Sequence, residues 1–151
     1  MEDEFEVYIG GKLTGLENPE LQKRFYENMA SVFVKIGKRV YIPHKHTDPV
    51  EHPTIDPRRV FEVDRKRVLE ADLMVAWVGE PSLGVGIELG IAAENREMRC
   101  NRTDVILVYP KGQISRMVLG NPCVIGKIEY SDETEAIQKL EEFVRGYWGW
   151  R

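Results

Sequence analysis

The chain has 151 residues, 42% of them hydrophobic and 30% charged, with 21 Lys plus Arg against 25 Asp plus Glu and a net charge of −4. This is the mixture of one soluble globular domain, long enough to bury about 68–70% of its unfolded surface. It excludes a disordered segment, and it excludes a general nucleic-acid binder, whose affinity comes from a basic face meeting phosphates. Read in order, Phe5 to Ile9 is a short β-prone run closed by Gly10-Gly11. Asn18-Pro19 supplies an N-cap and a first helical residue, and Glu20 to Ile36 then reads as a helix, with Leu21, Phe25, Met29, Val32, Phe33 and Ile36 at three- and four-residue steps. Gly37 ends it. Arg39 to Ile42 is a second strand, followed by a polar, Pro-rich loop from Pro43 to Pro57 that holds all three histidines. Arg58 to Glu70 reads as a helix and Asp72 to Val78 as a nearly all-apolar strand, the pattern of a central strand buried on both faces. The turn Gly79 to Gly84 leads into a helix from about Gly84 to Asn95, and Asp104 to Tyr109 is the fourth strand. Ser115 to Leu119 is a short helix. Cys123 to Ile125 with Ile128 to Tyr130 forms the fifth strand, and Asp132 to Tyr147 a closing helix capped by Ser131 or Asp132.

Strict alternation of strand and helix predicts a single doubly wound α/β domain, flavodoxin- or Rossmann-like, with a five-stranded parallel sheet spanning residues 1–151. Ligands of such sheets sit beyond the C-terminal ends of the strands, where strand order reverses. The informative loops are therefore 10–15, 44–52, 79–86 and 111–116. No run approaches the roughly 18 apolar residues of a membrane helix. The acidic start leads straight into a strand pattern rather than a signal peptide, so the expected location is the cytoplasm. Cys100 and Cys123 show no CxxC and no metal spacing, and read as reduced structural thiols.

Two familiar phosphate motifs fail. Gly84-Val-Gly86-Ile-Glu88-Leu-Gly90 misses the third glycine of GxGxxG, which falls at Leu89. Gly11-Lys12 is followed by Leu13 where a phosphate loop has Ser or Thr. What remains, Pro81 to Gly86, places small residues and free N–H groups at a helix start, a position that suits an anion. Glu88 lies one turn on, tilted back towards the same cleft, and the positive helix end is expected to keep it ionised. An ionised carboxylate beside a phosphate-sized hollow suits attack on an anomeric carbon, although an acid there also serves simply to stabilise the helix. Asp64, expected to be exposed on the preceding helix, supplies the second acid that glycosidic cleavage normally needs, or else a surface partner for Arg65, Lys66 and Arg67. Tyr8 at the end of the first strand is placed to meet Glu88 or to pack. His44, His46 and His52 with Asp48 and Glu51 are too loosely spaced for a metal site; His44 or His46 is expected to border a base pocket instead. The aromatic tail Tyr147-Trp148-Gly149-Trp150 reads as packing or a contact between copies.

Together these residues resemble the nucleoside 2-deoxyribosyltransferase superfamily, and most closely its 2′-deoxynucleoside 5′-phosphate N-hydrolase branch. The resemblance rests on Val7-Tyr8-Ile9-Gly10-Gly11-Lys12-Leu13-Thr14-Gly15, on Asp64 ahead of Glu70-Ala71-Asp72, on Pro81 to Gly90, and on Ile114 to Gly120. It implies that Glu88 attacks C1′ of the sugar and releases the base, that Asp64 contacts the leaving base or orients the nucleophile, and that Tyr8 positions Glu88. The transferase branch has an Asp six residues before the nucleophile to hold the 5′-hydroxyl. This chain has Ser82, which favours a 5′-phosphate. Gly10, Gly11, Lys12, His44, Ser82, Gly84 and Gly86 are then the substrate-binding candidates, with Ser115 donated across a homodimer interface. Lys12 and Thr14 stand where the hydrolase branch has a Ser and an Arg, so Lys12 supplies a point charge rather than a bidentate fork. No cofactor, metal, membrane or nucleic-acid polymer is implied. The reading is an N-glycosidase of nucleoside 5′-monophosphates. Its alternatives are a deoxyribosyltransferase, which an acceptor base distinguishes, and a nucleotide sensor, which needs no nucleophile.

Overall fold

The computed structural model describes residues 5–99 and 103–149. Cys100, Trp150 and Arg151 lie outside them. Five parallel strands, β1 (Glu6–Gly10), β2 (Arg39–Tyr41), β3 (Leu73–Trp77), β4 (Asp104–Pro110) and β5 (Val124–Tyr130), form one sheet in the order β2-β1-β3-β4-β5. Five α-helices cover it: α1 (Pro19–Val34), α2 (Pro57–Glu70), α3 (Leu83–Arg99), α4 (Arg116–Leu119) and α5 (Glu133–Gly149). This is the flavodoxin-like doubly wound arrangement, and its order reverses between β1 and β3.

Side chains alternate across the strands, so each strand serves two cores. Val7, Ile9, Leu73, Val75 and Trp77 face a core closed by Phe25, Met29 and Phe33 of α1 and Leu140 and Val144 of α5. Tyr8, Met74, Ala76, Val105 and Leu107 face the other, closed by Val68 of α2 and Val85, Leu89 and Ala92 of α3. The parity of β1 therefore sends Tyr8 towards α2 and α3. Trp148 packs edge-on against Phe5 and Phe33, so the described part of the aromatic tail is core packing.

Local chemistry sets the helix starts. The Asn18 side chain accepts from the Leu21 N–H, with Pro19 next in line, and the Asp56 side chain accepts from Arg58 ahead of α2. Asp132, rather than Ser131, caps α5 through the Glu135 N–H. Three expected elements differ. The histidine loop contains a single 3-10 turn at Pro43–Lys45, and α3 runs on to Arg99, four residues past Asn95. The fifth strand is continuous but bulged: Val105 pairs with Val124 and Ile106 with Gly126, leaving Ile125 as the extra residue. Gly126 lies under the Phe143 ring, where a Cβ would sit 2.5 Å from Cε2. Among the described residues no helix is long and apolar enough to cross a membrane.

Candidate active site

Beyond the C-terminal ends of β1 and β3 lies a cleft of about 620 Å³, a volume suited to a nucleotide-sized ligand. Its floor is the first turn of α3, its rims are the loops after β1 and β3, and its outer wall is the Pro-rich segment before α2. Asp64 of α2 and Glu88 of α3 line the cleft, and Tyr8 of β1 lies buried behind Glu88. The Tyr8 hydroxyl donates to Glu88 Oε1 at 2.8 Å. Glu88 Oε2 and Asp64 Oδ1 are buried with no hydrogen-bond partner. Two acceptors left unsatisfied on the wall of one cleft are costly for the free protein and are suited to a ligand that brings donors or positive charge.

Gly10 explains how the carboxyl fits. It shares a strand face with Tyr8, and a Cβ there would lie 2.9 Å from Glu88 Oε2 and 2.7 Å from Met74 Cε. Gly11 is required for a different reason: a Cβ would penetrate the Tyr26 ring at 2.3 Å. The Tyr26 hydroxyl in turn donates to the Lys12 carbonyl at 2.8 Å and pins the first loop. Behind Tyr8 the rings stack in a column, Tyr41 at 5.7 Å and His46 a further 4.7 Å on, with the Arg67 guanidinium 4.8 Å over Tyr41.

The electrostatics correct two expectations. Glu88 is not held ionised by the helix end; burial pushes its pKa up to about 8, against the Tyr8 hydrogen bond, which lowers it, and Asp64 adds a smaller upward push. Desolvation wins because the carboxyl is sealed between β1 and α3 rather than standing in water at the helix tip. Asp64 is half-buried, not exposed, and burial raises it to about 6, opposed by the Thr47 hydroxyl. Two of its basic neighbours in sequence are engaged elsewhere, Lys66 with Glu70 and Arg67 with Glu6. Tyr8 is itself raised well above its ordinary value, by burial first and by the two acids second, so it remains a donor.

The histidine expectation is also corrected. His44 is buried behind the wall, its Nε2 3.0 Å from Glu27 Oε1, because the 3-10 turn at Pro43 swings it back onto α1. His46 stacks on Tyr41. The histidine that lines the cleft is His52, with Thr47 and Val60, residues that the spacing alone did not single out. Their signal was the clustering of prolines, which makes this loop a wall. Asp48 ties it down by a buried ion pair with Lys23 of α1 and by accepting from the Val50 N–H at 2.8 Å.

Of the anion-site candidates, Lys12, Ser82 and Gly84 line the cleft. Ser82 caps α3, its Oγ accepting from the Val85 N–H at 3.3 Å. Gly86 and Ser115 do not line it. They belong to a second, mainly apolar groove between α3 and α4, separated from the cleft by the ridge that carries Ser82 and Leu83.

No protein-family profile matches the chain. A protein of Trichoplax adhaerens, provisionally named 2′-deoxynucleoside 5′-phosphate N-hydrolase 1, is 31% identical over 100 residues, 65% of this chain and 67% of that protein. The chain belongs to the nucleoside 2-deoxyribosyltransferase superfamily. A superfamily member of the same provisional name from Thermofilum pendens is 35% identical over 92 residues, and the match spans 60% of this chain and 62% of that protein's length. The fold is shared with the CMP N-glycosidase of Clostridium botulinum, at a TM-score of 0.67 and 21% identity over 91% of this chain and 98% of that one.

Proposed function

We propose that the chain is an N-glycosidase that hydrolyses the base–sugar bond of (deoxy)nucleoside 5′-monophosphates through a covalent glycosyl–Glu88 intermediate. The observation that carries this reading is the meeting of Glu88 and Asp64 in one cleft, with Tyr8 bonded to Glu88 from behind, both acids raised and each holding an unpartnered oxygen. The ionised Glu88 carboxylate forms a bond to C1′ as the C1′–N bond breaks. The electron pair leaves with the base nitrogen, which takes a proton from the Asp64 carboxyl. Water then attacks C1′ of the glycosyl ester, gives its proton to Asp64, and releases sugar 5-phosphate and free Glu88. Tyr8 stabilises the ionised carboxylate and holds its rotamer.

The 5′-phosphate is assigned to the N-terminus of α3. Support comes from the Ser82 hydroxyl, the Gly84 backbone and Lys12 on the same rim, and from the two relatives whose names specify deoxynucleoside 5′-phosphates. Ser115 stands across the ridge from its own chain's cleft, so its contribution to phosphate binding is assigned to a second copy seated on the α3–α4 groove. Leu83 and Met117 are exposed along that groove, and Gly86 and Gly90 leave room for close backbone approach.

The test is release of free base from a panel of deoxy- and ribonucleoside monophosphates and their nucleosides. The expected result is release from monophosphates, with Glu88→Ala slower by ~10³-fold or more. Undiminished release by Glu88→Ala would overturn the mechanism. Release from nucleosides only when an acceptor base is present would make the protein a transferase.

A further inference from the structure

Lys12 is the one Lys or Arg among the described residues that line the cleft, and it is already occupied. Its Nζ lies 2.7 Å from Glu80 Oε2. The pair spans the mouth between the loop after β1 and the loop after β3, two strands that are direct neighbours with Gly10 opposite Ala76. Glu80 is not itself a cleft residue. It stands on the outer rim, two positions before Ser82, with its side chain 45% exposed against 21% for that of Lys12. The Lys12 backbone is fixed by the Tyr26 hydroxyl and by the ring over Gly11, so any change of partner is made by the flexible four-carbon stem alone.

We infer that Glu80 tunes the phosphate affinity of the cleft: its carboxylate competes with the ligand's phosphate for Lys12, and a phosphate must displace it to engage that cation. The inference rests on the phosphate assignment above and deepens it. A phosphate monoester carries about −1.5 to −2 charges at neutral pH and three acceptor oxygens, whereas the Glu80 carboxylate carries one charge and two. The dianion also meets Ser82 and the α3 N-terminus, which Glu80 on the outer rim does not reach as a cleft-lining group. A nucleoside offers nothing to displace the carboxylate, and Lys12 stays paired with Glu80 in its presence. A ligand carrying a dianionic phosphate takes Lys12 over and releases Glu80 to solvent. Competition of this kind weakens every anion by a similar amount and leaves neutral ligands untouched.

The experiment is a double-mutant cycle in the full-length protein at low ionic strength. It reads the Kd of inorganic phosphate and the KM of a deoxynucleoside monophosphate for the wild type, Glu80→Gln, Lys12→Met and the pair. Glu80→Gln is expected to lower both constants by about two- to fivefold, the range of an exposed ion pair, and to leave nucleoside binding unchanged. The gain is expected to shrink in high salt and to vanish in the Lys12→Met background. No tightening by Glu80→Gln, or equal tightening with and without Lys12, overturns the competition while leaving the phosphate site standing. If Lys12→Met changes neither constant, the phosphate assignment itself fails, and this inference falls with it. Both positions are at least partly exposed, so the variants are expected to fold, and thermal melting of each is the control.

Discussion

At the scale of single residues, the chemistry turns on which carboxyl holds a proton. Burial sets Glu88 near 8 and Asp64 near 6, so the group proposed to attack is mostly protonated at neutral pH. Because the two acids interact, these are properties of the pair as much as of either residue. The proposed attack needs ionised Glu88 together with protonated Asp64, so kcat/KM is expected to rise about tenfold per pH unit up to about 6, to stay level between about 6 and 8, and to fall above. Tyr8→Phe keeps the ring stacked on Tyr41 and removes only the donor that favours the ionised form. Loss of that donor raises the Glu88 pKa further, since a hydrogen bond to a charged group contributes about 1.5–3 kcal/mol and one pH unit corresponds to about 1.4. Activity across the level region from about pH 6 to 8 is therefore expected to fall about tenfold, and the falling limb to move up by about one unit or more. An unchanged level and an unmoved falling limb would show that Tyr8 only packs. The identity of all three residues was legible in the sequence, through the Val7-Tyr8 turn, Asp64 ahead of the central strand, and Pro81 to Gly90. Their ionisation was not, because the desolvation of Glu88 is imposed by β1, some eighty residues away in sequence. His44 was misplaced for a related reason: a 3-10 turn changes which side of the loop a residue faces, and the histidine spacing carries no sign of it.

At the scale of elements, the alternation of apolar strands with amphipathic helices made every strand and helix readable, because each unit signals its own period. What was missed needs tertiary information. The bulge at Ile125 shows only in the pairing with β4, and α3 runs on to Arg99 through exposed Arg96, Glu97 and Met98, where no apolar period marks the end of a helix. The neighbourhood of Ser115 is the more consequential case. The sequence places it near a phosphate only through the resemblance, and the fold sets it in the groove between α3 and α4, beyond the Ser82 ridge. If a second copy occupies that groove, Met117 lies within the contact, since it is 88% exposed on its own chain and has no packing to lose. Met117→Lys is expected to leave the fold of the isolated chain intact and its stability within about 0.5 kcal/mol of wild type. It is also expected to shift the sedimentation profile from dimer to monomer and to raise the KM for monophosphates more than that for nucleosides. A wild-type chain that sediments as a monomer at every concentration removes the second copy, and with it the role of Ser115.

At the scale of the whole molecule, the site is paid for in stability, and the sign of that cost can be worked out. The folded pKa of Glu88 lies near 8, whereas an unfolded glutamate titrates near 4.3. Between those values the native state holds a proton that the unfolded state has already released. The Glu88 contribution is therefore fully present below about 4.3, falls as pH rises through this window, and is gone above about 8. Asp64 adds a smaller contribution of the same sign between about 3.9 and 6. A neutral isostere at position 88 removes the Glu88 contribution, because an amide oxygen still accepts from Tyr8 and never ionises. Glu88→Gln is thus expected to abolish turnover and raise the melting temperature together. The gain should be small near pH 5 and largest near pH 8, where each 1 kcal/mol corresponds to about 2–4 °C for a chain of this length. Melting curves of the two proteins across pH 5–8 check it directly. Curves that run parallel would mean that Glu88 is solvated in the folded protein, so that its oxygens are not the unsatisfied acceptors on which the proposed chemistry depends. Curves that diverge towards high pH would identify the buried carboxyl as a group retained for its reactivity against its own effect on the fold.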